Sequence, residues 1–485
     1  MSLPLHYQSA KSLAGLVRRK KISALELLDH FLDRVERYNP RLNAVIWQNA
    51  EAARKRARAL DRAAAKGAKL GPLHGVPMTI KESYDVVGMP TTRGIPALKD
   101  NYPPRNALTV DRLNAAGVTL FGKTNVPIHL ADWQSYNEVY GTTNNPWDVT
   151  RSPGGSSGGS AAALAAGLCG IEAGSDIGAS IRNPAHYCGV YGLKPTYGIV
   201  PIRGQAMPGV LAPGDISVIG PMARSAEDLA LALDVMAGPD EIDSVGWQLR
   251  LKRPTQTRLR DFRVAVMLDD PNAEVDQEVQ TLLSRLADFL GRQKVKVSFT
   301  ARPEIDTTEA HRVYVMLLRA ATSGRQTDEL FQRNQEIARK LDPSDESYFA
   351  RMTRANVLSH RDWLALNEKR HKMRHAWAAF FREWDLLLCP AAASAAFPHD
   401  HQGERHERFI TVNNKRVPTT DQLFWAGYSG AFYLPSVVAP AGLTPTGLPV
   451  GVQIVGPQFG DLTCVRFAEL LEREYQGFTP PPGYD

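Results

Sequence analysis

With 485 residues the chain exceeds one typical hydrophobic core, so it holds several domains or one large α/β domain with insertions. Apolar residues make up 43% and charged residues 22%, which is an ordinary globular balance and excludes a disordered chain. The formal net charge of +6 is modest for this length, and the tightest basic cluster, Arg18–Lys21, lacks interleaved aromatic residues. These features argue against a nucleic-acid partner.

The cysteines argue against a zinc site and against a disulfide scaffold, because they are widely spaced and form no Cys-x-x-Cys pair. The N-terminal stretch has no positively charged start followed by an apolar run, so no signal peptide is expected. No apolar run approaches about 18 residues, so no membrane span is expected either. The sequence therefore predicts a cytoplasmic protein. We expect it to be a monomer or a homodimer. Its four cysteines are Cys169, Cys188, Cys389 and Cys464.

The first elements of the chain are predicted from a cap and from helical spacing. Ser23 and Glu26 form a capping-box pattern ahead of apolar residues at helical spacing, in a helix expected to end before Asn39-Pro40. Residues 50–65 predict a second helix, rich in alanine and arginine. Val76–Ile80 reads as a buried strand that places Lys81 at its C-terminal end.

Gly117–Thr124 matches the phosphate-binding pattern G-x-x-x-x-G-K-[ST] in its letters. A true phosphate loop needs an exposed middle segment and a following helix. Here the middle residues are apolar and strand-like, after a helix predicted at 107–116, and Asn125-Val-Pro127 follows. The context therefore disfavours nucleotide binding.

The remaining chain alternates predicted strands and helices, which indicates an α/β layered domain with a mixed sheet. Residues 300–350 are more polar and irregular, and predict an insertion or a lid. His399, His401 and His406 fit no common zinc spacing, so a structural or substrate-facing loop is the better interpretation. The predicted strands are Val264–Met267, Val295–Phe299, Leu386–Cys389 and Pro449–Val455, and the predicted helices are Ser225–Met236, Val275–Leu290, Asn356–Arg382 and 461–474.

Two Gly/Ser segments dominate the middle of the chain. Ser152–Ser160 holds four glycines, four serines and one proline, and it leads into a buried helix predicted at Ala161–Leu168. Gly174–Arg182 then supplies a glycine-rich turn before Ser180, with Ile181-Arg182 opening a helix. A flexible linker would not be followed so closely by a helix and a second turn, so two serine-bearing turns in one site are expected.

A serine nucleophile needs a base, and the residues offer two interpretations. Gly154–Gly158 matches the G-x-S-x-G elbow that works with a histidine, but no strand-like run precedes it. Alternatively, Lys81 is buried, desolvated and neutral, and Ser156 relays the proton from Ser180. The second interpretation predicts acyl transfer through an acyl-enzyme with neither metal nor cofactor, and activity that rises towards alkaline pH.

From Leu25 to about Leu471 the chain resembles the amidase signature family of hydrolases. The resemblance implies one large α/β/α domain around a mixed central sheet, spanning residues 1–485, with a Ser–cis-Ser–Lys triad. By position Ser180 matches the nucleophile, Ser156 the cis-serine and Lys81 the base, while Asp176, Arg182 and Ser157 match supporting residues. The oxyanion hole matches the amides of Ile177, Gly178, Ala179 and Ser180. The motifs that carry the family resemblance are Lys81–Thr92, Gly122–Asn125, Asn145–Asp148, Gly154–Ser160, Gly174–Arg182, Cys188–Thr196 and Gly447–Gly451.

Two residues depart from the family pattern. Ala179 stands where the family usually has glycine, which leaves open whether its methyl group crowds the oxyanion hole or points away. Glu82 follows Lys81 where aspartate is commoner, which alters the neighbours of the lysine but not the lysine itself.

The substrate is expected to be a small molecule with a neutral amide, anilide or carbamate, since some members of the family resemble urethane-cleaving enzymes. Tyr136, residues 202–210 including Met207, the 300–350 insertion and Phe424–Tyr428 are expected to line its pocket. Gly155 and Trp425 are predicted to contact substrate as well. One alternative is an amidotransferase A-type subunit that releases ammonia from glutamine, although the stretch after Tyr197 does not resemble that branch. A non-enzymatic scaffold is disfavoured because all three catalytic positions are present.

Overall fold

The centre of the protein is an eight-stranded mixed sheet in the order β10-β9-β11-β15-β14-β7-β8-β6. The pairs β10–β9 and β9–β11 are parallel, and the other neighbours are antiparallel. The computed structural model describes residues 3–485. The sheet strands are β6 (Glu172–Asp176), β7 (Tyr191–Lys194), β8 (Val218–Ala223), β9 (Arg263–Val266), β10 (Lys296–Ser298), β11 (Leu386–Pro390), β14 (Ser436–Leu443) and β15 (Pro449–Val455).

A smaller three-stranded sheet, in the order β1-β3-β2, lies beside the large one. An isolated parallel bridge between Met78 and Ile171 joins the two sheets immediately before β6. This bridge places the end of β2 next to the end of β6, where the site is built. The remaining strands are β1 (Val45–Gln48), β2 (Pro77–Lys81), β3 (Thr119–Thr124), β4 (Tyr136–Asn137), β5 (Gly141–Thr142), β12 (Phe409–Val412) and β13 (Lys415–Pro418).

Helices pack against the sheets, which confirms the predicted α/β class with a mixed central sheet. No helix within residues 3–485 is long and apolar enough to cross a membrane. The helices are α1 (Ala10–Arg18), α2 (Ala24–Leu42), α3 (Ala50–Ala65), α4 (Leu108–Ala115), α5 (Gly158–Ala165), α6 (Arg182–Cys188), α7 (Ala226–Met236), α8 (Gln277–Arg292), α9 (Thr307–Ser323), α10 (Asp328–Lys340), α11 (Tyr348–Asn356), α12 (His360–Glu383), α13 (Leu423–Gly430) and α14 (Asp461–Glu474).

Several predicted elements are confirmed with their bounds, and α2 differs in an instructive way. Helix α3, strand β15 and helix α14 occupy the predicted residues, and the capping box of Ser23 and Glu26 is present. However, α2 continues through Pro40 to Leu42. Its last turn is stabilised because Asn39 Oδ1 accepts hydrogen bonds from the two amides that follow the cap, those of Ala44 and Val45 (2.9 and 2.8 Å).

Two segments predicted as irregular or as a turn are regular, and one further strand was not predicted. Residues 300–350 contain α9, α10 and the start of α11, each begun by a side-chain cap. Strand β14 lies largely within the Pro/Gly-rich stretch 435–448, where the pairing register shifts between Pro440 and Gly442, a bulge that accommodates the proline. Gly174–Asp176 belongs to β6 because its backbone pairs with β8, which outweighs the turn preference of glycine.

Candidate active site

Lys81 ends β2 inside the protein, with no solvent-accessible surface. Its Nζ lies within hydrogen-bonding distance of the hydroxyls of Ser156 (2.7 Å), Ser157 (2.9 Å) and Ser175 (2.9 Å). Burial, followed by the charge of Arg93, lowers the pKa of Lys81 well below its ordinary value, although nearby carboxylates act in the opposite direction. A neutral amine next to three hydroxyls can accept a proton from one of them.

At two positions of the segment 154–159 the backbone lies so close to neighbouring backbone that only glycine fits. A Cβ on Gly155 would lie 2.4 Å from Asp132 O, and a Cβ on Gly159 would lie 2.3 Å from Asn125 N. The Gly155–Ser156 peptide bond is cis. The amide of Ser157 donates to the carbonyl of Ser180 (3.1 Å), so the two serine turns predicted from sequence lie together in the structure.

A buried ion pair holds the turn that carries Ser180. Asp176 accepts from the amides of Ala179 (3.0 Å) and Ile181 (3.1 Å) and pairs with Arg182 at 2.8 Å, with both side chains almost fully buried. Burial raises the pKa of Asp176, but the charge and hydrogen bonds of Arg182 outweigh burial and the net shift is downwards. Arg182 also donates to Ala426 O, Ser429 Oγ and Gln453 Oε1 at 2.8–2.9 Å. The turn is therefore attached to β15 and α13.

Two side chains that sequence reasoning missed orient the peptide groups next to Ser180. Tyr314 Oη donates to Ile177 O (2.9 Å), and Trp133 Nε1 donates to Gly178 O (2.8 Å). A peptide N–H points opposite to its carbonyl, so the Gly178 N–H faces away from Tyr314. The Ala179 N–H already donates to Asp176, which leaves the amides of Ile177, Gly178 and Ser180 among the four predicted for an oxyanion.

Ala179 adopts a left-handed backbone with φ +70°, and its methyl group is buried. This is the conformation that glycine adopts without steric cost, whereas in alanine it costs about 1–2 kcal/mol. The departure from the family pattern at this position is therefore a source of backbone strain next to Ser180.

A cavity of about 260 Å³ opens beside Ser180. Its apolar wall includes Trp133, Leu318 and Leu423. Three arginines also line it, Arg319, Arg325 and Arg405. The sequence predicted that residues within 300–350 line the pocket, and α9, Arg319 and Arg325 lie in that range, but it gave no signal for Trp133 or Arg405, which come from distant segments of the chain.

The residues expected to line the substrate pocket lie elsewhere, with the exception of residues within 300–350. Phe424 and Trp425 are buried, because α13 turns Leu423 rather than Phe424 towards the cavity. Tyr136 stacks on His401 with ring centroids 3.7 Å apart, and Met207 lines a separate cavity of about 730 Å³. Gly155 lies in the serine turn itself, not on the cavity wall.

The two other sequence patterns have structural roles. Gly117–Thr124 is mostly strand β3, and Lys123 Nζ donates to Pro90 O (2.6 Å). A phosphate-binding loop needs an exposed loop at these residues, so the structure does not support one here. His399 contacts Asn144 Oδ1 at 3.1 Å in a loop. Within residues 3–485 no group of three or more His, Cys, Asp or Glu side chains could hold a metal ion.

Comparison with known proteins places this site in a family. The Amidase family matches residues 26–465. The acylamidase of Rhodococcus erythropolis is 34% identical, with 96% of this chain and 95% of the relative covered. The A-type subunit of glutamyl-tRNA(Gln) amidotransferase from Moorella thermoacetica is 31% identical, with 99% of this chain and 100% of the relative covered. A bacterial aryl acylamidase of the amidase signature family has a similar solved structure, with a TM-score of 0.81, 27% identity and coverage of 98% of this chain and 97% of that chain.

Proposed function

The chain belongs to the Amidase family of amide-hydrolysing enzymes, and we propose that it cleaves the C–N bond of an amide, anilide or carbamate through an acyl-enzyme on Ser180. The observation that carries this proposal is the contact of 2.7 Å between Lys81 Nζ and Ser156 Oγ in a buried cluster. A buried amine with a lowered pKa is suited to act as a base near neutral pH.

In the first half of the proposed reaction, Ser180 Oγ attacks the scissile carbonyl carbon and transfers its proton to Ser156, which passes its own proton to neutral Lys81. The carbonyl oxygen becomes an oxyanion, stabilised by amides of the turn 177–180. The C–N bond then breaks as the proton returns through Ser156 to the leaving nitrogen. The product amine departs and the acyl group remains on Ser180.

In the second half, a water molecule attacks the ester carbonyl and gives a proton to the same relay. The bond between Ser180 Oγ and the acyl carbon breaks, the proton returns to Ser180 Oγ, and the acid leaves, a carboxylic acid from an amide or anilide and a carbonic acid monoester from a carbamate. Every proton that Lys81 takes up is returned within the same half-reaction, so Lys81 ends each half-reaction in its neutral form.

Glutamine hydrolysis for tRNA-dependent amidation is the second candidate, because the A-type subunit of the amidotransferase is similar along the whole chain. A glutamine site must also hold the α-ammonium group of the substrate. Among the described residues that line the cavity, the acidic side chain that could bind this ammonium group is Asp132. Its carboxylate is already paired with Arg408 at 2.7 Å. This pairing favours a stand-alone hydrolase.

The test is intact-mass measurement after brief exposure to an aryl ester, an anilide, an aryl carbamate and glutamine. We expect an acyl adduct or released product with wild-type protein and neither with Ser180→Ala. Ser156→Ala should bind substrate but acylate far more slowly, since it keeps the nucleophile and loses the relay. Acylation of Ser180→Ala at the wild-type rate would refute the assignment and make Ser156 the leading nucleophile, whereas turnover of glutamine alone would favour the amidotransferase.

A further inference from the structure

Arg319, Arg325 and Arg405 converge on the cavity beside Ser180 without any acidic partner. None of the three forms an ion pair in the part of the chain that the structure describes. By contrast, the arginine that holds the turn of Ser180, Arg182, is matched by Asp176 at 2.8 Å. The positive charge of the cavity is therefore left without a counter-charge from the protein.

Two of the three guanidinium groups meet on one hydroxyl. Arg319 donates to Tyr348 Oη, and Arg405 Nη2 donates to the same atom at 3.3 Å. Burial raises the pKa of Tyr348, which keeps the phenol protonated, so it supplies no counter-charge. Arg319 Nε is buried and has no hydrogen-bond partner. Two like charges held together with an unused donor indicate a site for an anion.

The position of this pair is set by rigid neighbours. The Arg405 guanidinium lies over the ring of Trp133, 5.4 Å from its centroid, and Trp133 also holds the Gly178 carbonyl. Arg319 is on α9, just over one turn after Tyr314, which holds the Ile177 carbonyl. The cationic group and the turn of Ser180 are thus supported by the same two elements.

The third arginine adds to the same positive charge. Arg325 Nη1 donates to His129 O at 3.1 Å, and the His129 amide donates to Arg93 O at 3.0 Å. Asp132 cannot neutralise the cavity, because its carboxylate is paired with Arg408. The charge that the arginines bring to the cavity is consequently positive.

We propose, resting on the function proposed above, that the substrate carries a carboxylate beyond the scissile bond and that Arg319 and Arg405, assisted by Arg325, bind it. The scissile amide, anilide or carbamate is itself uncharged, and the anion lies on the acyl or the amine portion, which differs from the neutral substrate expected from the sequence. Arginine presents a planar pair of donors that matches a carboxylate, which explains three arginines rather than lysines. A cavity of about 260 Å³ suits a small acidic fragment rather than a long chain.

The experiment compares substrate pairs in which a carboxylate is replaced by its uncharged ester, and it follows only cleavage of the anilide bond, because a serine hydrolase can also attack the ester. The acyl-side pair is succinic acid mono-4-nitroanilide and its methyl ester, and the amine-side pair is N-acetyl-4-aminobenzoate and its ethyl ester. We expect wild-type protein to favour the free acid of one pair by about 10- to 100-fold in kcat/KM, and the pair that responds identifies the portion that carries the carboxylate. The preference should shrink as salt rises, because salt screens partly exposed charges.

Variants connect the preference to the residues. Arg319→Gln and Arg405→Gln should each reduce the acid-to-ester ratio by about tenfold, and Arg405→Lys should restore part of it. Arg339→Gln is the matched control, since Arg339 is an arginine on α10 outside the cavity lining. It should keep the wild-type ratio.

Two results separate this proposal from the hydrolase proposal. If wild-type protein turns over both members of each pair equally and Ser180→Ala turns over neither, the serine mechanism stands and the carboxylate proposal is refuted. Calorimetric titration of Ser180→Ala with each pair gives a readout that needs no turnover. Tighter binding of the free acid supports the anion site, and equal binding overturns it.

Discussion

Trp133 Nε1 donates a hydrogen bond of 2.8 Å to the carbonyl of Gly178, two residues before Ser180. At the other end of the same peptide group, the Ala179 amide donates to Asp176 at 3.0 Å. One peptide plane is thus held from both sides, and the backbone conformation of the turn follows from it. Groups that hold the donors of an oxyanion site in position before the reaction contribute to catalysis even when they make no contact with the oxyanion themselves.

Replacing Trp133 with phenylalanine tests this relationship. A ring remains but the donor is lost, so we expect kcat to fall about five- to tenfold with a smaller change in KM, since one hydrogen bond contributes about 1 kcal/mol. Steady-state kinetics on an anilide substrate measures both constants. Trp147→Phe is the matched control, because it removes a similar bond to Cys188 O (3.0 Å) away from the cavity. An equal loss in both variants would show that Trp133 acts only on general stability.

The lysine is tested by pH. Because burial lowers the pKa of Lys81, its neutral form is present well below the ordinary lysine value of 10.5. We expect kcat/KM to rise with pH as Lys81 loses its proton and to reach a plateau below that value. A rising limb centred near the ordinary lysine pKa would contradict the assignment. Lys81→Met should lower kcat by about 100- to 10,000-fold and leave the folded structure detectable by circular dichroism.

The buried ion pair of Asp176 and Arg182 is expected to dominate the stability of the turn. Asp176→Asn leaves a buried guanidinium without its counter-charge, so we expect the free energy of unfolding to fall by about 3–5 kcal/mol. Urea denaturation measures this change. Glu227→Gln removes an exposed pair with Lys11 and should cost no more than about 1 kcal/mol. Similar losses in the two variants would show that burial of the first pair does not matter.

The stability that this ion pair contributes is expected to depend on pH. The pKa of Asp176 is lower in the folded protein than its ordinary value of 3.8, so its ionised form contributes stability that is present above that value. This stability is lost as pH falls through the folded pKa. The difference in unfolding free energy between wild type and Asp176→Asn should therefore be constant near neutral pH and shrink in acid.

Ala179→Gly should stabilise the protein. Glycine relieves about 1–2 kcal/mol of strain at φ +70°, while it loosens the unfolded chain by about 0.4–1 kcal/mol. The net gain is expected to reach about 1 kcal/mol in urea denaturation. Ala163→Gly, in the middle of helix α5, is the control and should destabilise by about 1 kcal/mol. A loss at position 179 as large as that at 163 would mean that the alanine is not strained.

Local patterns predicted those elements whose signals lie within a few neighbouring residues. The cap of α2, the apolar strand before Lys81 and helices α3 and α14 depend on spacing and caps, and they appear where the sequence indicates. Strands β6 and β14 were missed because glycine and proline favour turns locally. Pairing with neighbouring strands outweighed that preference, and no neighbouring strand is visible in a short window of sequence.

The sequence by itself determined the amidase resemblance and predicted Lys81, Ser156 and Ser180 as the positions that carry the chemistry, since these lie in dense Gly/Ser and strand motifs. Only the tertiary structure decided what surrounds them. Trp133, Tyr314 and Arg319 come from a loop and from α9, and each acts through a contact with a residue at least 29 positions away in the chain. Such contacts follow from how the helices pack on the sheet, and packing is a property of the whole chain rather than of any segment of it.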